Sequence, residues 1–168
     1  MLKQCSLVAV LLLSFNLKAI PELTTVGEGS YSYLFWQLYD ARLATADGRF
    51  SGYQQSSPLL LELTYKRDIS AKQFVDATVD EWQKLNNCSE SQQQAWAEQL
   101  LTLWRDVKEG DALAALLSGD GRVMFYLNGE ELGAVEDSAF GPAFFDIWLH
   151  PDTSAPKLRR NLLAKEQN

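Results

Sequence analysis

Two dipeptides do most to limit what this chain can become. Asp120-Gly121 and Asn128-Gly129 punctuate the stretch "DALAALLSGDGRVMFYLNGEELGAV", residues 111–135. Residues of these types accept the positive φ that a tight hairpin turn imposes. The segments between and around them are apolar and of strand length. Only antiparallel strands can be joined by so few residues, so the spacing predicts an antiparallel meander.

Helical signals precede it. "SAKQFVDATVDEWQKLN" places Phe74, Val75, Val79 and Trp82 at helical spacing, with Ser70 as the N-cap. Ser89 and Gln92 fit a capping box for a second helix, "ESQQQAWAEQLLTLW", whose expected buried stripe is Ala95, Trp96, Leu100 and Trp104. After the meander a helix is expected from Asp137 to Leu149. Pro151 stops it, and a last helix starts at Thr153 or Ser154 with Pro156 in its first turn.

Before all of these come two strand signals. "VGEGSYSYLFWQLYDARLAT" opens with Gly27 and Gly29, which permit a bend or a close backbone approach. Read as one long strand, it points Tyr31, Tyr33, Phe35, Tyr39 and Leu43 one way and Leu34, Trp36 and Leu38 the other. Both sets are apolar, so the strand is expected to be covered on both faces or to face a groove on one. Asp47-Gly48 turns the chain into "PLLLELTYKRDI", Pro58 to Ile69. Strands, two helices, strands, two helices is an α+β layout, with an antiparallel β-sheet packed against a layer of helices.

Lys3, the short apolar run Cys5–Leu17 and the small residue Ala19 read as a secretory signal peptide over residues 1–19. Residues 20–168 then form a single domain in an exported, periplasmic or secreted protein, with no membrane span once the signal is removed. Loss of Lys3 and Lys18 leaves 13 basic against 22 acidic residues, a net charge of −9. With no Lys/Arg block beyond Arg159-Arg160, nucleic acid is not an expected partner. An acidic surface favours solubility and repels anionic membranes. No helix is amphipathic enough to mark a membrane-binding face. Cys88 alone remains of the cysteines, so neither an internal disulfide nor a Cys-rich zinc site can form in the mature chain.

The stretch "NGEELGAVEDSAFGPAFFDIWLHPDTSAPKLRRNLL", the helix "SAKQFVDATVDEWQKLN" and the strand holding "LYDARL" together resemble the chalcone isomerase-like family. The resemblance covers most of residues 24–164 and is strongest to the exported bacterial branch of unknown function. It implies an open-faced β-sandwich and no metal or redox cofactor. The family includes enzymes that cyclise a phenolate onto an enone and proteins that bind fatty acids, so the scaffold alone does not set the chemistry.

The resemblance implies five catalytic positions. The Thr position falls near Leu34, the Tyr position near Ser70, the Asn position near Ala77 and a late hydroxyl position near Asp146. No Arg lies between Pro21 and Gly29 to serve as the fifth. None of the five side chains is retained, and the Arg–Tyr clamp by which the family's fatty-acid binders hold a carboxylate is missing from its expected place.

Five other residues are the ligand-binding candidates: Tyr33, Trp36, Arg42, Tyr65 and Arg67. Tyr65 and Arg67 lie two apart on a strand and share a face. A guanidinium fork beside a phenol suits a carboxylate or phenolate. Arg42 either enters a groove or pairs with an acid, the pairing being favoured. Tyr33 and Trp36 belong to an aromatic cluster suited to a flat apolar ligand. His150 follows a helix end and has no nucleophile or carboxylate in a motif with it. The expected function is binding of a small apolar or amphipathic molecule, fatty-acid-like or an aromatic acid. The alternatives are a partner-binding protein with a closed cleft, or a cofactor-free isomerase using Tyr65, Arg67 and Arg42.

Overall fold

The structure, a computed structural model, describes residues 20–163. The expected signal peptide, residues 1–19, lies outside the described residues. Six strands run in chain order across one antiparallel sheet: β1 (Thr24–Tyr33), β2 (Trp36–Thr45), β3 (Leu59–Tyr65), β4 (Ala112–Leu117), β5 (Val123–Leu127) and β6 (Glu130–Val135). Helices α1 (Ala71–Leu85) and α2 (Glu90–Leu103) are inserted between β3 and β4, and α3 (Phe140–Leu149) and α4 (Pro156–Leu162) follow β6. The α+β class and the sheet-on-helix layering read from the sequence are those observed.

Alternation builds the two layers. Leu59, Leu61, Leu63 and Tyr65 of β3 join the core beneath the helices, while Leu60 joins a small cluster on the opposite face with Ala44, Leu116 and Tyr126, covered by Ile20 and Leu23. The expected capping box at Ser89 forms, and the expected N-cap Ser70 proves to belong to a second one. Ser70 accepts from the Gln73 backbone N–H and Ser89 from that of Gln92, and both glutamines reach back. Each such cap contributes about 1 kcal/mol. On α2 the expected stripe shifts: Trp96, Leu100 and Trp104 are buried, but Ala95 is exposed and Gln93 is buried, its amide donating to the Cys88 carbonyl. The last helix is capped at Ala155, with Pro156 as its first residue. Thr153 tightens the corner before it, donating to the Ile147 carbonyl and accepting from the Ala155 N–H.

Aromatic rings fill the space between the layers. Trp82, Trp96 and Phe140 meet edge to face, and Phe125, Phe144 and Trp104 continue the cluster. The buried indoles of Trp82 and Trp96 donate to the Ala143 carbonyl and to Asp137, which spares them the desolvation cost of an orphaned donor. Gly27 is needed because α4 lies directly on β1: a Cβ there would come within 2.2 Å of the Asn161 carbonyl oxygen. The close approach expected of the Gly27–Gly29 pair is therefore real, and its partner is the last helix.

One expectation is overturned. The stretch read as a single long strand is a hairpin, β1–β2, that turns at Leu34-Phe35 with Tyr33 paired to Trp36. No Gly, Asn, Asp or Pro marks the turn. Its first residue, Leu34, nevertheless takes φ 55°. The four side chains at the turn, expected to be covered or to face a groove, stand largely in solvent: Tyr33 is 63% exposed, Leu34 75%, Phe35 97% and Trp36 63%.

Candidate functional site

β1, β2 and β3 bring three tyrosines into one row. Tyr31 pairs with Tyr39 and Tyr39 with Tyr65, so the rings share one face of the sheet. Tyr31 stacks on Tyr39 at 5.3 Å, and Tyr39 meets Tyr65 edge to face at 5.7 Å. Phe74 of α1 closes on Tyr65 at 4.7 Å. At the other side Trp148 of α3 donates its indole N–H to the Tyr39 hydroxyl at 3.0 Å.

This row floors a cleft of about 680 Å³ between the β1–β2 hairpin, α1 and the α3–α4 corner. Buried Leu63, Leu113, Phe144 and Ile147 complete the floor, and exposed Arg67, Asp68, Asp80 and Lys84 stand at the rim. The α1 wall is a helical stripe, Phe74, Ala77, Thr78, Glu81 and Lys84, with the small Ala77 opening space at its middle.

The electrostatics divide the cleft in the same way. Burial pushes the Tyr39 and Tyr65 phenols far above their ordinary pKa, and burial followed by the Glu81 charge raises Tyr31. All three therefore stay neutral at physiological pH and can only give or take hydrogen bonds. No described residue hydrogen-bonds the Tyr65 hydroxyl, although its side chain is 1% exposed. Lys84 holds Glu81 Oε1 at 2.7 Å, leaving Glu81 Oε2 buried without a partner. At the rim, the Arg67 guanidinium lies 5.4 Å above the Trp36 ring, and no carboxylate among the described residues is within ion-pair distance of it.

Of the five candidate residues, three line the cleft: Tyr33, Tyr65 and Arg67. Tyr65 and Arg67 do so for a different reason from the one expected, because β3 ends at Tyr65 and Arg67 lies in the bend beyond it. Trp36 sits outside the cleft and carries Arg67. Arg42 is on the opposite face of the sheet, where its cross-strand neighbour Glu62 takes it in an ion pair at 3.3 Å. The grouping of Tyr65, Arg67 and Arg42 as relocated catalysts therefore does not form. Sequence reading missed the α1 stripe as a wall and Trp148 as the donor to Tyr39. The 3–4 spacing of the stripe was visible, but a helix face does not announce whether it meets core or cavity.

A profile of chalcone isomerase-like proteins matches residues 35–164. The chain belongs to the chalcone isomerase-like family. An uncharacterized protein of Haemophilus influenzae is 25% identical over 167 residues, spanning 99% of this chain and 81% of that one. The crystal structure of an Arabidopsis thaliana fatty-acid binding protein superposes with a TM-score of 0.66 at 10% identity, over 86% of this chain and 89% of that one. At that identity the likeness establishes the fold.

Within the family frame, the positions implied for catalysis scatter. Leu34 is at the exposed hairpin tip, Ser70 is occupied as a helix cap, and Ala77 alone lines the cleft. Asp146 is held by Tyr53, whose hydroxyl donates to it at 2.5 Å, and by the Asn87 amide at 3.2 Å. Among the described residues, no three His, Cys, Asp or Glu side chains gather as a metal site, and no helix is long and apolar enough to cross a membrane.

Proposed function

We propose that this protein binds a small amphipathic molecule, with its apolar body in the tyrosine-floored cleft and an anionic head at the rim. One observation carries the reading: a cleft of about 680 Å³ combines a buried aromatic and aliphatic floor with a rim cation, Arg67, that no carboxylate among the described residues pairs with. The volume lies within the range of small-molecule sites, and an apolar lining with few placed polar groups is their usual composition. A fatty acid or an aromatic acid has the matching division of charge. The fatty-acid binding protein of the same fold supports the choice of ligand class. The volume of the cleft argues against the alternative of a closed one.

The Tyr65 hydroxyl offers the ligand body a hydrogen bond inside the floor. As a neutral phenol it suits an ether, carbonyl or hydroxyl oxygen. The apolar run in residues 1–19 supports export, which fractionation of cells producing the full chain would test.

The ligand reading is tested by native mass spectrometry of protein purified from cells, followed by displacement of a fluorescent fatty acid. The expected result is a bound amphiphile and saturable displacement. Ala77→Phe, which adds a ring at an exposed position of the cleft wall, is expected to weaken binding about 10-fold or more without loss of folding. Arg67→Ala is expected to weaken acids about five-fold and leave uncharged analogues unaffected. Equal affinity in wild type and Ala77→Phe would remove the reading.

A further inference from the structure

The β1–β2 hairpin ends in four consecutive large apolar side chains, Tyr33, Leu34, Phe35 and Trp36, all mostly exposed. We infer that this tip inserts into the interface of a lipid bilayer and brings the mouth of the cleft against it.

The order of residues along the hairpin is the first support. Leu34 and Phe35, with no polar atom in their side chains, form the apex. One step back sit Tyr33 and Trp36, amphipathic rings of the kind that settle at head-group level. Behind them come polar Ser32 and Gln37, and Arg67 lies over the Trp36 ring. The chain thus becomes more polar with distance from the apex, as a bilayer interface does with distance from its hydrocarbon. Tyr33 pairs with Trp36 across the turn, so the ladder between the two strands reaches the tip, while the unpaired outer edge of β1 suits the hydrated interface rather than the hydrocarbon.

Area is the second. Scaled by their exposures, the four side chains present on the order of 500 Å². A stable protein partner takes about 800 Å² from each side. A second copy docked tip to tip would therefore bury less than a lasting dimer needs, whereas a bilayer surrounds a projecting tip on every side. Continuity is the third. Tyr33 belongs both to the tip and to the cleft lining, and Arg67 both lines the cleft and covers Trp36. A molecule leaving the bilayer beside the tip meets the cleft without crossing water.

The inference goes beyond the ligand reading and does not depend on it. The experiment uses the full chain with phosphatidylcholine vesicles, some carrying brominated acyl chains. Trp82, Trp96, Trp104 and Trp148 are each at most 7% exposed, so Trp36 is the tryptophan that lipid can reach. The expected result is a blue shift of its emission and quenching by the brominated chains, both lost in Trp36→Phe. Vesicle-induced quenching is expected to fall at least five-fold in a Leu34→Ser, Phe35→Ser double variant, and to persist at high salt. Ala77→Phe, which blocks the cleft, is expected to leave it unchanged, so either reading can fail alone. Vesicle binding without Trp36 quenching would place the contact elsewhere and overturn the inference. So would quenching retained in the double variant, or self-association of the wild type that the double variant abolishes while vesicles leave Trp36 unaltered.

Discussion

The molecule contains two hairpins of the same length of turn and opposite chemistry. β5–β6 turns on Asn128-Gly129, at φ 52° and 81°, with Leu127 paired to Glu130. Asn128 also braces the neighbouring loop: its Oδ1 accepts from the Ala112 N–H and its Nδ2 donates to Asp111, both at 2.9 Å. β1–β2 turns on Leu34-Phe35, with a leucine at φ 55° and neither side chain sheltered from water. The first turn is made of residues that lower its own free energy. The second keeps residues that raise it. What the difference teaches is where to look for function: a turn that accepts backbone strain and solvent-exposed apolar area is one whose side chains serve something outside the fold.

The contrast breaks most readily at Asn128. Asn128→Leu puts the first hairpin's turn residue into the second. It also removes two side-chain hydrogen bonds, and a destabilisation of about 2 kcal/mol is expected from denaturant unfolding. A change under about 0.5 kcal/mol would mean that the turn residues do not distinguish the hairpins.

The reverse exchange sharpens it. Leu34→Gly relieves the positive φ with the residue that such a turn prefers in its first position, and is expected to raise stability by about 1 kcal/mol while reducing the exposed apolar tip. A wild-type leucine more stable than glycine there would show that the apex is packed rather than strained.

The smallest effect is a pair of titrations, one beside each turn. Asp40 is held below the usual carboxylate range by a hydrogen bond from Lys66 and then one from Ser30. Asp111 is lowered by the Lys108 backbone N–H and then by Asn128. Because both folded-state values are depressed, each group's contribution to stability is present above the unfolded value near 3.8 and is lost as pH falls through the folded one. Carboxyl NMR titrations are expected to give midpoints below 3.8 for both. Lys66→Ala is expected to raise that of Asp40 alone. A normal midpoint at Asp40 would remove its ion pair as a brace of the first hairpin.

Much of the fold was legible because local chemistry and tertiary structure agree there. Ser70 was legible as an N-cap and Ser89 with Gln92 as a capping box, and both cap their helices in space. Asn128-Gly129 turns where its residue types say it should. The β1–β2 hairpin was illegible for the converse reason: "YSYLFWQLY" is dominated by aromatic residues of high strand propensity and has no turn residue at Leu34-Phe35, where it turns. That single misreading turned Leu34, Phe35 and Trp36 from a solvent-exposed tip into the presumed faces of a strand covered on both sides or facing a groove on one. For Arg42 the sequence favoured an ion pair over a groove without fixing its partner, and the pairing register supplied one by setting Glu62 opposite.

The sequence by itself determined the class of the fold, the starts of the first two helices and the meander. These depend on side-chain type and on spacing along a few turns of chain, which propensity and capping already express. Only the tertiary structure decided that Tyr31, Tyr39 and Tyr65 stand in one row, that Arg67 reaches the cleft and Arg42 does not, and that the aromatic run projects into solvent. Those outcomes are set by strand register and by where a helix leaves space beside a sheet. Both arise from packing between segments far apart in the chain, which no local pattern encodes.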